Sequence, residues 1–119
     1  MAEKPSRGRA PRGMASAREV RVVLSTAPPR AARHMARRLV AEGLAACVNV
    51  VPGVASVYRW RGKVETARES LLVIKVARRQ VKALVGALQE RHPYEVPEAL
   101  VFAPLAGLSS YVRWITGSE

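Results

Sequence analysis

The chain has no aspartate, a single cysteine, a single phenylalanine and no apolar run near the ~20 residues that a membrane span requires. Each of these absences excludes something. One cysteine, Cys47, cannot build an internal disulfide framework, which fits a reducing, cytoplasmic compartment. The missing apolar run argues against a membrane partner. No Ser/His/Asp or Cys/His constellation stands at a recognisable spacing, and there is no Walker, dinucleotide or zinc fingerprint. The expectation is therefore a protein that is not an enzyme.

What is present is a chain of 119 residues, nearly half of them hydrophobic, long enough for one modest core. The net charge is +11. Residues 1–19 hold five basic and two acidic side chains, and residues 20–119 hold fifteen and seven. Such a charge favours anionic partners and salt-sensitive association, although arginine-heavy, alanine-rich composition also follows from high-GC coding. Met1 to Ala17 is rich in Pro, Gly, Ser and Arg, without hydrophobic period or the apolar region of a secretory signal. The domain reading is a disordered basic tail over residues 1–18 and one domain over 19–117. Met14 is a possible alternative start, since the patterned sequence begins soon after it.

Val20 to Thr26 is apolar and β-branched, a buried strand. Ala32, Met35, Ala36, Leu39 and Val40 then recur at helical spacing behind Pro28-Pro29, and Gly43 supplies the stop. Leu44 to Val76 reads as two long strands joined near Arg61-Gly62, with a break or bulge at Pro52-Gly53. A helix through Val81, Leu84, Val85 and Leu88, a strand at Ala99–Ala103 and a C-terminal helix through Tyr111 and Ile115 complete the order.

This β-α-β-β-α-β order predicts an α+β, ferredoxin-like sandwich: a four-stranded antiparallel sheet with both helices on one face. Two features demand a partner. The second sheet face carries half of the apolar strand residues with nothing to cover it. The central hairpin, at about 14 residues and ~3.3 Å per residue, spans ~45 Å and overshoots its own sheet. Both point to a tight homo-oligomer.

Between the second helix and the last strand lies His92-Pro93-Tyr94-Glu95-Val96-Pro97-Glu98, an imidazole, a phenol and two carboxylates on a frame stiffened by two prolines. A link of this kind serves equally as a connector and as a site.

Together with Leu44-Ala45-Ala46-Cys47-Val48-Asn49 and Ser56-Val57-Tyr58-Arg59-Trp60-Arg61-Gly62-Lys63, that link closely resembles the CutA divalent-cation tolerance proteins, in order from about Val20 to Trp114. The resemblance implies a compact homotrimer, similar in outline to PII signalling proteins, that responds to metal ions and copper in particular. It also implies clefts between subunits, lined by Lys75, Glu69, His92, Tyr94 and Glu98, for a divalent cation or small ligand. The chain departs from the copper-binding pattern of the family: Ser25 stands where those members have cysteine, and Arg91 replaces the first of two histidines, leaving His92 as the one metal ligand in common. One imidazole, a hydroxyl and a guanidinium make a poor copper site.

Tyr58, Trp60 and Trp114 are read as interface or cleft residues, because interfaces favour such aromatics. Cys47, in an apolar run, is read as core packing, and His34, among arginines, as solvated. Two other classes compete with a ligand-binding trimer. One is a structural or signalling scaffold without metal. The other is an electrostatic nucleic-acid binder through the basic tail; specific RNA reading is disfavoured because Leu71-Leu72-Val73-Ile74-Lys75-Val76 offers no aromatic for base stacking.

Overall fold

The computed structural model describes residues 13–117. Along them run β1 (Met14–Ser16), β2 (Val20–Ala27), α1 (Pro29–Ala41), β3 (Cys47–Trp60), β4 (Lys63–Ala77), a 3-10 turn (Arg78–Gln80), α2 (Val81–Arg91), β5 (Leu100–Phe102), β6 (Ala106–Leu108) and α3 (Ser109–Thr116). The main sheet has the order β3-β4-β2-β5, every neighbouring pair antiparallel. This is the ferredoxin-like arrangement expected from the element order.

Local chemistry sets the element ends. Pro29 opens α1, where a missing N–H costs nothing. Gly43 closes it in a left-handed conformation, its N–H on the Val40 carbonyl and the Leu44 N–H on that of Leu39, the double bond of a Schellman cap. At the far end of the hairpin Arg61 and Gly62 both have positive φ, the two-residue turn that matches strand twist.

The core fills one face of the sheet. Val23, Leu72, Ile74 and Val76 are fully buried against Leu39 of α1 and Leu84 and Leu88 of α2. Their neighbours on the strands, Val22, Leu24, Leu71 and Val73, point the other way and stay partly exposed. Val51, Leu100 and Phe102 on the same open face are more exposed still.

β2 ends its pairing with β4 at Ala27↔Ser70, while β3 and β4 continue together to Trp60↔Lys63. The hairpin therefore projects well past the rest of the sheet. The molecule measures 53 × 31 × 23 Å with a radius of gyration of 15.8 Å, against about 13 Å for a compact chain of this length.

The tail expectation needs correcting at its boundary. Residues 1–12 of it lie outside the described residues, but Met14–Ser16 is a strand paired with Ala106–Leu108. Ala17 is 2% exposed and packs with Val20 and Ile115 in a second small core under α3. The ordered domain thus starts before residue 19, because a three-residue strand needs only a partner strand and one buried anchor. Cys47 is corrected too: it is half-buried on the open face, in register with Lys75, and not part of the core.

Candidate functional site

The site grows from the place where β2 runs out. Glu69 lies one residue beyond the last β2–β4 pair, so β2 leaves the space beside it free. The His92–Glu98 link enters that space, coming off the C-terminal end of α2. The His92 N–H still closes α2 on the Leu88 carbonyl, while His92 itself adopts the extended geometry that Pro93 imposes.

Five side chains then lock together. The Tyr94 hydroxyl donates to Glu69 Oε2 at 2.6 Å. The His92 ring lies 4.6 Å from the Tyr94 ring, tilted by 51°. His92 Nε2 stands 2.6 Å from the Thr26 carbonyl, and its Nδ1 accepts the Tyr94 N–H at 3.1 Å. These two bonds define the tautomer: Nδ1 must be the acceptor, so Nε2 carries the proton and donates. Glu98 accepts the Thr26 hydroxyl at 3.4 Å. One residue at the end of β2 thus anchors both ends of the link.

Glu69 is the unusual member. It is 6% exposed, and among the described residues its carboxylate forms no ion pair. Burial, followed by the hydrogen bond and charge of Glu69, pushes the Tyr94 phenol well above its ordinary value. The phenol therefore stays a donor at any physiological pH.

The bulge at Pro52-Gly53 decides what else faces Glu69. Two residues there oppose Ser70 alone, between the pairs Val51↔Leu71 and Val54↔Glu69. The extra residue switches strand parity. Beyond it Tyr58 and Trp60 share the face of Glu69 and Glu65, whereas Val48 and Val50, before it, face the helices. Both aromatics are exposed. Glu95 reaches Arg61 at the hairpin turn, 3.7 Å away, and Arg61 lies over the Trp60 ring at 5.4 Å. Trp114 is on α3, exposed and stacked on Tyr111.

Of the five residues grouped by resemblance, Glu69, His92, Tyr94 and Glu98 come together within one chain. Lys75 does not. It lies six residues along β4 from Glu69, about 20 Å by strand rise, and its ammonium donates to Asn49 Oδ1 on the neighbouring strand. Sequence reasoning missed Thr26, the residue that holds both ends of the link. Its place at the end of the first strand was the available signal.

The residues do not fit copper. Ser25 is fully buried on the helix face, and among the described residues its hydroxyl has no hydrogen-bond partner. Both ring nitrogens of His92 are committed to the backbone. Arg91 ion-pairs with Glu42 at 2.8 Å, tying the end of α2 to the end of α1. Arg38 reaches the same carboxylate at 3.0 Å. Led by Arg91, the two guanidiniums hold the Glu42 carboxyl below its ordinary range. No thiolate or imidazole set converges on Ser25 and His92. Among the described residues no group of three or more His, Cys, Asp or Glu side chains is placed to hold a metal ion.

No helix of the described residues is long and apolar enough to cross a membrane. Residues 21–118 match the family model of the CutA1 divalent ion tolerance protein. The chain is 41% identical over 98 residues to the chloroplastic protein CutA of Arabidopsis thaliana, covering 82% of this chain and 54% of that one. It thus spans about half the length of this plant relative. It is 40% identical over 101 residues to the divalent-cation tolerance protein CutA of Salmonella newport, covering 84% and 88%. The structure of CutA from Synechococcus elongatus in complex with Bis-Tris superposes with a TM-score of 0.81 at 33% identity, covering 90% of this chain and all of that one. A match that begins at β2 and takes in both the hairpin and the Thr26-anchored link leaves one conclusion: the chain belongs to the CutA1 divalent ion tolerance protein family.

Proposed function

We propose that this protein is a homotrimeric, cytoplasmic binding protein of the metal-ion response, not an enzyme, and that it takes a cation in clefts between its subunits. The ligand is an amine-bearing small molecule or a hard divalent ion; copper is not the ligand. The observation that carries this reading is Glu69: a nearly buried carboxylate whose one polar contact among the described residues is a neutral phenol. A buried carboxylate without a counter-cation is costly, and a bound cation offsets that cost. Glu98 adds a second carboxylate to the same cluster, and oxygen from water or a neighbouring subunit would complete a hard cation's shell. His92 and Tyr94 act as frame, since their polar atoms are already engaged.

Two further observations support the assembly. The open sheet face carries Val22, Leu24, Leu71, Val73, Leu100 and Phe102, too much apolar surface to leave in water. The projecting hairpin displays Tyr58 and Trp60 beside the cluster, where a neighbouring subunit would meet them. The Bis-Tris held by the Synechococcus relative is a hydroxylated amine, the kind of cation this cluster suits.

Sedimentation should give three times the chain mass, and calorimetry should show Bis-Tris or a hard divalent ion binding the wild type. Glu69→Gln and Glu98→Gln should each weaken that binding at least tenfold while leaving the mass unchanged. A trimer that gives no heat with Bis-Tris, magnesium, calcium, zinc or copper would instead support the scaffold reading. A monomer would sink both.

A further inference from the structure

A second site, sharing no residue with the Glu69 cluster, lies on the helix-covered face of the sheet, the face opposite to the one that carries Glu69. Between α1 and β3 runs an open groove of about 650 Å³, lined by Arg33, Ala36, Arg37, Val40, Val48 and Val50. The volume falls within the roughly 300–1,000 Å³ of small-molecule sites. Its floor is apolar. Val40 is 43% exposed, and Val48 and Val50 are partly open on their groove side. Its rim is basic: Arg33 and Arg37 stand one helical turn apart, and Arg30 continues the same stripe, which extends about 10 Å along the helix.

No carboxylate among the described residues neutralises these arginines, and two of them border an apolar floor. Among the described residues none of the three guanidiniums takes part in an ion pair or hydrogen bond. Glu42, the carboxylate that caps this helix, is already held by Arg38 and Arg91. The first turn of α1 contains no acidic residue, so Arg30 and Arg33 sit at the positive end of the helix dipole without compensation. A solvated arginine face needs no concave floor beside it, and a core groove needs no cations on its rim. Here the two coincide.

We infer that this groove binds an organic anion with an apolar body. Its carboxylate or phosphate head would be held by Arg33 and Arg37, and its hydrocarbon body would lie on Val40, Val48 and Val50. Guanidinium pairs suit either head, since both present paired oxygens to the fork of N–H donors. Charge complementarity selects the anion, and the floor rejects a bare inorganic ion.

The test uses the full-length protein in its native assembly. Fluorescence of 8-anilinonaphthalene-1-sulfonate reports occupancy, and octanoate, octyl phosphate and 1-octanol compete for it. Octanoate or octyl phosphate should displace the dye at least tenfold more effectively than 1-octanol, and the stronger of the two identifies the preferred head. Arg33→Glu with Arg37→Glu should weaken both anions at least tenfold. Arg59→Glu with Arg68→Glu, the same charge change on the exposed hairpin, should change them less than twofold. Amide shifts on adding octanoate should centre on Ala36, Val40, Val48 and Val50. Equal loss in both double variants would reduce the effect to bulk charge and overturn the site. So would 1-octanol competing as well as the anions, or a wild type with no displaceable dye because another copy of the chain covers the groove.

Discussion

Two carboxylates in this molecule are held in opposite ways. Glu42, exposed at the end of α1, is gripped by two guanidiniums, Arg38 and Arg91. Glu69, 6% exposed at the root of the hairpin, has a single neutral phenol. In a chain with twenty basic residues and nine acidic ones, a cation for Glu69 was not scarce. Had Glu69 been structural, burial would favour pairing it fully, because an uncompensated buried charge costs more than an exposed one gains. The fold instead supplies cations where solvent already screens the charge and withholds them where it does not. On the function proposed above, the charge left unpaired at a nearly buried position marks a site, whereas the charge paired on the surface is a brace between two helices.

The most damaging change on the buried side is Tyr94→Phe. It removes the one donor to Glu69 and leaves the carboxylate unsatisfied, which should cost about 1–3 kcal/mol in urea denaturation at pH 7. The same variant carries a pH signature. Tyr94 is raised above the ordinary tyrosine value of about 10, so its contribution to stability is complete below about pH 10 and falls away as pH rises through its folded value. Tyr94→Phe should flatten that alkaline limb. Absorbance at 295 nm should show one of the three tyrosines titrating last in the wild type and no such step in the variant.

Ser25 tests the rule from the other direction. Its hydroxyl is buried without a partner among the described residues, on the helix-covered face of the sheet. Ser25→Ala should therefore stabilise the protein by about 1 kcal/mol by chemical denaturation. A loss of stability would mean that the hydroxyl does find a hydrogen-bond partner. Glu69→Gln should be smaller still in stability, within about 1 kcal/mol of wild type, because the amide oxygen still accepts from Tyr94. Ligand binding should nevertheless collapse. If neutralising Glu69 instead cost several kcal/mol with binding intact, the contrast with Glu42 would be void.

Most of the fold was legible because it rests on short-range chemistry. The helical spacing before Gly43, the Arg61-Gly62 turn, the bulge at Pro52-Gly53 and the overlong hairpin are each written within a few residues. What was hidden depends on register. Cys47 follows Leu44-Ala45-Ala46 and reads as core, yet pairing with Lys75 places it on the open face, since a single step of parity decides the side. Lys75 and Glu69 share a face in the sequence pattern, but only the cross-strand partner shows that Asn49 has the ammonium. The Tyr94–Glu69 bond was invisible because it depends on β2 stopping one residue short of Glu69. The three-residue strand Met14–Ser16 has no period to read at all.

The smallest expected effect belongs to Glu42, and it closes the comparison. Because Arg91 and Arg38 depress its folded value, the stability it contributes is present above the ordinary glutamate range, about 4.3, and is lost as pH falls through the lower folded value. Glu42→Gln should therefore leave the alkaline limb untouched and remove part of the acid limb, measured as the denaturation midpoint between about pH 5 and pH 3. Both partners are exposed, so the wild-type contribution should also fade in about 1 M salt, where the screening length is near 3 Å. The same salt should leave the Tyr94 effect in place, because that bond is partly buried and joins a neutral donor to its acceptor. A salt-sensitive Tyr94 and a salt-insensitive Glu42 would reverse the assignment of site and brace.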